Sequence, residues 1–157
     1  MASPAARRPD ESAVVLAQLM LPTDANAQGD VHGGAIMKLV DTAGALAAMR
    51  HARSRVVTVV MDSMTFQEPV HVGDLVHVAA RLTWTGRTSM EVVVSVEAED
   101  AVRGTRRRTS DAFLVYVALD QHGRPQPVPP LAVETVEERA LWQAAEQRRE
   151  ARLRARS

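Results

Sequence analysis

A short stretch of the chain holds most of the residues able to do chemistry. It reads Pro22-Thr23-Asp24-Ala25-Asn26-Ala27-Gln28-Gly29-Asp30-Val31-His32-Gly33-Gly34, and an aspartate, Asp41, follows seven residues after Gly34. Adjacent glycines at a helix start have no Cβ to keep a ligand away, and the free N–H groups of the first turn sit at the positive end of the helix dipole. Such donors can hold an oxygen that gains negative charge in a transition state. Asp41 stands beside Leu39 and Val40 on a segment patterned for burial, where a carboxylate must be paired, hydrogen-bonded or chemically employed. Each part also has a plain structural use. Gly33-Gly34 can be a tight turn into a helix, Asp41 can turn to solvent or meet a nearby donor, and His32 and Asn26 can cap or brace the loop.

The elements that must carry these residues follow from hydrophobic spacing. Residues 13–21 suit a strand, and Pro22, Asp24, Asn26 and Gly29 supply a loop. Over 34–53, Ile36, Leu39, Val40, Ala43, Leu46, Ala47 and Met49 recur near helical spacing among many alanines, which predicts one long, mostly buried helix. Strand-like runs follow at 56–67, 75–85, 89–98 and 109–120. In the second of these Val76, Val78, Ala80, Leu82 and Trp84 share one face, with His77, Arg81 and Thr83 on the other, the alternation of an antiparallel sheet with one wet side. Met90, Val92, Val94 and Val96 repeat it. Turn residues separate the runs at 68–74, at 86–87 and over 100–108, and the prolines of 125–130 end the sheet.

Residues 133–156 predict a second helix with Val136, Ala140, Leu141, Ala144 and Ala145 on an apolar stripe. Its end carries five arginines over 148–156, interrupted by Glu150, and reads as a solvated helix that packs on the domain or on a neighbour. The fold class is α+β. A disordered lead is expected over 1–12, one domain over 13–130 and a helical extension over 131–157.

Composition removes several functions. The chain has no cysteine, so disulfides, thiolate metal sites and a cysteine nucleophile are excluded. Nineteen basic residues balance nineteen acidic ones, so no net field draws in nucleic acid or an anionic membrane. No apolar run approaches the roughly 20 residues that span a bilayer, and the first dozen residues have no apolar core of the kind a secretory signal needs, so a cytoplasmic protein is expected.

The pattern Asn26-x-x-Gly29-x-x-His32-Gly33-Gly34-x6-Asp41, one long helix and then four strands, resembles the acyl-CoA hydrolase branch of the hotdog-fold thioesterases, which includes the YciA-like enzymes and the brain acyl-CoA hydrolase. Val56-Val57-Thr58-Val59, Met64-Thr65-Phe66 and Pro69-Val70-His71-Val72-Gly73-Asp74 extend the likeness, which covers residues 19–130. The resemblance implies a long central helix wrapped by an antiparallel sheet, dimerised edge to edge, hydrolysing fatty or short acyl-CoA thioesters without metal or organic cofactor. It implies that Asp41 is base or nucleophile, that Asn26 orients water or thioester, and that the Gly33 and Gly34 amides hold the carbonyl oxygen. His32 is the remaining candidate, at a position where many bacterial members carry an aromatic residue. By the same resemblance Arg87-Thr88-Ser89 and the turn holding Arg106, Arg107 and Arg108 contact CoA, a role suited to arginine forks on phosphates.

Gly34 and Asp41 lie about 10 Å apart along one helix at 1.5 Å per residue, too far to serve one reacting centre. A composite site in a homodimer is therefore expected, and the resemblance implies further assembly to a tetramer or hexamer. Two rival readings share the fold or the ligand. A hotdog enoyl-CoA hydratase would use an Asp-x-Asn-Pro-x-His motif, which Asp24-Ala25-Asn26-Ala27 begins and then leaves, and a non-catalytic acyl-CoA-binding module would release no thiol.

Overall fold

A computed structural model of the chain describes residues 4–156. Its elements are α1 (Pro9–Ser12), β1 (Val14–Leu19), a 3-10 turn (Pro22–Asp24), α2 (Gly33–Ala52), β2 (Arg55–Phe66), β3 (Leu75–Thr85), β4 (Ser89–Asp100), β5 (Thr105–Leu119) and α3 (Val136–Ala155). The strands form one antiparallel sheet in the order β1-β3-β4-β5-β2, which leaves β1 and β2 at its edges. The sheet curls around α2. Ile36, Val40, Ala43, Gly44, Ala47, Ala48 and His51 are the buried residues of that helix, three or four apart as a one-sided helix requires. They meet Val76, Val78, Ala80 and Leu82 of β3, Met90, Val92, Val94 and Val96 of β4, and Leu114 and Tyr116 of β5.

The expected alternation holds along β3 as far as Leu82. A bulge between Leu82 and Trp84 then turns Trp84 out of the core, so that its indole N–H donates to Glu146 Oε1 of α3 at 2.6 Å. The wet side of the sheet is therefore not wet there. Thr83 is buried beneath α3, where its hydroxyl meets Glu91 Oε1 at 2.6 Å.

Only part of the stripe expected on the second helix makes contact. Val136 is 77% exposed and Ala140 is exposed, while Trp142 packs against Trp84 and Ala145 is buried. The grip is polar. Arg148 forks onto Glu91 at 2.9 and 2.8 Å and lies 3.7 Å over the Phe113 ring, and Arg152 pairs with Asp62 at 2.9 Å.

Two boundaries also move. The lead expected to be disordered is ordered over residues 7–12, because Arg7 exchanges backbone hydrogen bonds with Pro130 and Ala132 and α1 buries Pro9 and Ser12; residues 1–3 lie outside the described residues. The arginine-rich turn is shorter than expected, since β5 begins at Thr105 and places Arg106, Arg107 and Arg108 in the strand. No helix among the described residues is long and apolar enough to cross a membrane.

Candidate active site

Asp41 sits on the third turn of α2, partly covered, facing β2 and β5. Two hydroxyls converge on its Oδ1: Thr58 of β2 donates at 2.8 Å and Tyr116 of β5 at 3.0 Å, the latter also 3.1 Å from the Asp41 carbonyl oxygen. Oδ2 has no hydrogen-bond partner among the described residues. Burial first, and then the Asp41 charge beside it, push the Tyr116 hydroxyl well above the usual phenol range, so it stays a protonated donor. Close approach of the ring needs a gap in the helix. Gly44, one turn after Asp41, supplies it, because a Cβ there would collide with the Tyr116 hydroxyl and ring.

Thr58, Tyr116 and Gly44 do not figure among the residues expected from sequence. Thr58 left a trace as the polar member of an apolar run, and Tyr116 is the chain's single tyrosine.

Asn26 is fixed by its own loop. Its Oδ1 accepts from the amides of Gln28 at 2.9 Å and Asp30 at 3.1 Å, an Asx turn that leaves the carboxamide NH2 free to donate outward. Asn26 and Gly33 line one cleft with Asp30, Ile36, Phe66 and Val70. The first α2 amides to find a carbonyl are those of Ala35 and Ile36, both on His32, so the N–H groups of Gly33 and Gly34 are unpaired among the described residues. An added Cβ at Gly34 would meet nothing within 4 Å, so the protein itself does not require glycine there. His32 occupies the N-cap, exposed and without a side-chain cap bond. Asp24 is spent locally, accepting from the Leu21 amide at 2.8 Å, which removes the carboxylate a hydratase would need.

Asp41 does not line the Asn26 and Gly33 cleft. Within one protomer these groups stand apart: the cleft holds the Asn26 carboxamide and free N–H donors, and the carboxylate lies two turns along the helix.

The CoA candidates are also divided. Arg87 is exposed, and its carbonyl accepts from Val128, while Thr88's accepts from Ala118. Ser89 opens β4 opposite Val117, whereas Arg106 lies opposite Glu99 at the far end of the same hairpin, about 33 Å away at 3.3 Å per residue. Arg106 pairs with Glu97 at 2.9 Å, Arg108 with Asp111, and Arg107 with Asp74 at 3.0 Å and the Pro69 carbonyl at 2.8 Å. Arg107 therefore braces the turn after β2, and no single protomer gathers both arginine groups around one ligand.

A Thioesterase superfamily profile matches residues 28–105. The uncharacterized acyl-CoA thioester hydrolase YkhA of Bacillus subtilis is 39% identical over 94% of this chain and 86% of its own length. A hexameric acyl-CoA thioesterase, solved without ligand, superposes with a TM-score of 0.93 at 38% identity, over 98% of this chain and 99% of that one. An acyl-CoA hydrolase of Staphylococcus aureus, solved with butyryl coenzyme A, coenzyme A and coenzyme A disulfide, superposes with a TM-score of 0.87 at 33% identity over 96% and 92% of the two chains. That hydrolase has also been solved with an asparagine, an aspartate and a threonine each changed to alanine, at the spacings that separate Asn26, Asp41 and Thr58 here. By sequence, fold and the disposition of its polar residues, the chain belongs to the hotdog-fold thioesterases, in their acyl-CoA hydrolase branch.

Proposed function

We propose that the protein hydrolyses acyl-CoA thioesters to free acid and CoA, with Asp41 as the catalytic carboxylate. The observation that carries this is the Asp41 side chain itself, held through Oδ1 by Thr58 and Tyr116 while Oδ2 stays open to a reactant. Asp41 takes a proton from water as the water oxygen bonds to the thioester carbon. The Gly33 and Gly34 amides receive the carbonyl oxygen as it gains charge, and Asn26 orients the water or the thioester. Collapse of that intermediate breaks the C–S bond, and the proton leaves with the CoA thiol. Water, a carboxylate and amides suffice, so the reaction asks for no metal or organic cofactor.

Asp41→Asn should lower thiol release from acyl-CoA about 10²-fold or more in a folded protein, since the base is lost. Near-normal turnover would end the assignment. A single turnover in 18O-water that labels Asp41 would show that it attacks the thioester itself, since label enters the side chain only when water opens an anhydride at the aspartyl carbon.

The two half-sites of a protomer become whole if two α2 helices run antiparallel across a dimer, so that the Gly33 and Gly34 end of one meets the Asp41 of the other, giving two equivalent sites. The position of β2 at the edge of the sheet, with β5 as its one neighbour, supports edge-to-edge pairing. Hexameric relatives support assembly beyond the dimer. Co-refolding Asp41→Asn with Gly34→Val tests the sharing, because a mixed dimer holds one intact site and recovers activity. Mixed dimers without activity would place both groups in one subunit.

A further inference from the structure

On the side of the sheet away from Asp41 lies a small cationic pocket that the hydrolytic steps leave unused. One wall is a face of α3, where Arg149, Arg152, Leu153 and Arg156 succeed one another at helical spacing; the other is strand surface carrying Val59 and Ser89. Its charge is not cancelled among the described residues. Arg152 pairs with Asp62, whereas Arg149 lies 5.6 Å over the Trp84 ring and neither it nor Arg156 has an acidic partner among the described residues. Beneath the guanidinium groups the floor is apolar and open, with Val59 50% and Leu153 48% exposed. Arginine forks suit phosphates, and an apolar floor suits a flat base, so the pocket matches a phosphorylated nucleotide.

We propose that this pocket receives the nucleotide end of coenzyme A, which makes α3 a substrate-recognition element. The proposal rests on the acyl-CoA reading above. Ser89 belongs to the pocket and pairs with Val117, whose neighbour Tyr116 holds Asp41 from the opposite face of the sheet. Pocket and carboxylate therefore stand back to back on one stretch of sheet. From the level of Tyr116 the end of the β3–β4 turn, where Arg87 is exposed, is about three residues away, roughly 10 Å at 3.3 Å per residue. A pantetheine arm passing round that turn is long enough to join the two sides. The arginine run on α3 then has a use beyond solvation.

The test is a double variant, Arg149→Ser with Arg156→Ser, which removes the Arg149 guanidinium from the Trp84 ring but leaves the Arg148 and Arg152 pairs and the Trp84 contacts with Trp142 and Glu146 in place. Circular dichroism verifies the fold. KM for an acyl-CoA should rise about tenfold or more, the loss of at least one charge-assisted bond. KM for the matching acyl-pantetheine, which has no nucleotide, should move less than twofold. An unchanged KM for acyl-CoA, or equal rises for both substrates, overturns the proposal.

3′,5′-ADP should inhibit acyl-CoA hydrolysis competitively. Noncompetitive inhibition that vanishes in the variant would assign the pocket to a free nucleotide and overturn the substrate role. Calorimetric titration with 3′,5′-ADP gives a readout independent of turnover: parent and variant should differ at least tenfold in affinity, and equal affinities overturn the proposal. If the parent binds 3′,5′-ADP in this way but releases no thiol from any acyl-CoA, the hydrolase reading falls and the pocket stands.

Discussion

Gly44→Ala is the sharpest probe of how this fold holds its carboxylate. In an isolated helix the change would stabilise by up to about 1 kcal/mol, because glycine is the poorer helix former. Here the new Cβ would meet the Tyr116 hydroxyl and two ring carbons inside a closed core. Overpacking of that kind costs about 1–3 kcal/mol, so the net effect lies between neutral and roughly 2 kcal/mol of destabilisation. The functional effect should be larger. To clear the methyl group the ring must swing its hydroxyl away from Asp41 Oδ1, removing one of two donors, and a hydrogen bond to a charged group is worth about 1.5–3 kcal/mol. At 1.36 kcal/mol per tenfold, kcat should fall roughly 10- to 100-fold with KM little changed. Tyr116→Phe should fall by a similar factor, and adding Gly44→Ala to it should cost little more, because both lesions remove the same bond. Thiol-release kinetics and urea unfolding on the four members of this cycle provide the measurement. Multiplicative losses in kcat, or a fully active Gly44→Ala enzyme, would refute the claim that Tyr116 acts through Asp41.

Thr58→Ala removes the shorter of the two bonds to Oδ1 and should lower kcat at least tenfold, while Thr58→Ser, which keeps the hydroxyl, should recover most of the rate; equal losses would make Thr58 a packing residue. Arg148→Met strands a carboxylate that is 1% exposed and should cost about 3–5 kcal/mol in urea unfolding, whereas Glu91→Met added to it should restore most of that stability; no restoration would contradict a desolvated ion pair. His51 gives a pH dependence. Burial holds its imidazole below the usual pKa, with one ring nitrogen on the Pro129 carbonyl at 2.7 Å and Nδ1 buried without a partner among the described residues. The unfolded chain binds that proton first, so its neutral form supports the fold at pH 7 and above, and stability falls as pH drops below about 6.5, by at most about 1.4 kcal/mol per pH unit. His51→Gln should flatten that fall in thermal melts between pH 7.5 and 5.5, and an unchanged slope would rule His51 out as its source.

What the sequence discloses here depends on how far apart the interacting residues are along the chain. Alternation in β3 and β4 and the helical spacing of α2 are local, so most strands and the long helix were legible within a residue or two, although Leu39, Leu46 and Met49 are only partly buried and the buried face of the helix runs instead through Gly44, Ala48 and His51. The loop that fixes Asn26 is local too, since Asn26 Oδ1 meets amides two and four residues ahead. The partners of Asp41 are different in kind. Tyr116 reaches it from 75 residues away and Thr58 from 17, through a strand order that places β2 and β5 side by side, and nothing in either residue's own neighbourhood announces the meeting. Trp84 failed for a related reason: one bulge, set by pairing with β4, reversed the face that simple alternation assigns. For α3 the expected apolar stripe was the wrong signal, because a helix gripped by Arg148, Arg152 and Glu146 carries in sequence the charge pattern of a solvated one.

That ambiguity bears on mechanism. The same helix that spends Arg148 and Arg152 on the sheet leaves Arg149 and Arg156 beside Ser89 without an acidic partner among the described residues. Its arginines thus divide by geometry into those that anchor α3 and those free to bind. If the anchoring pairs were lost, the binding pair would lose its position as well. Arg148→Met should therefore raise KM for acyl-CoA even though Arg148 lies outside the pocket, and the rise should disappear when the substrate is acyl-pantetheine. A rise shared by both substrates would show that detaching α3 disturbs the catalytic half-sites directly, and would break the link between anchoring and nucleotide recognition.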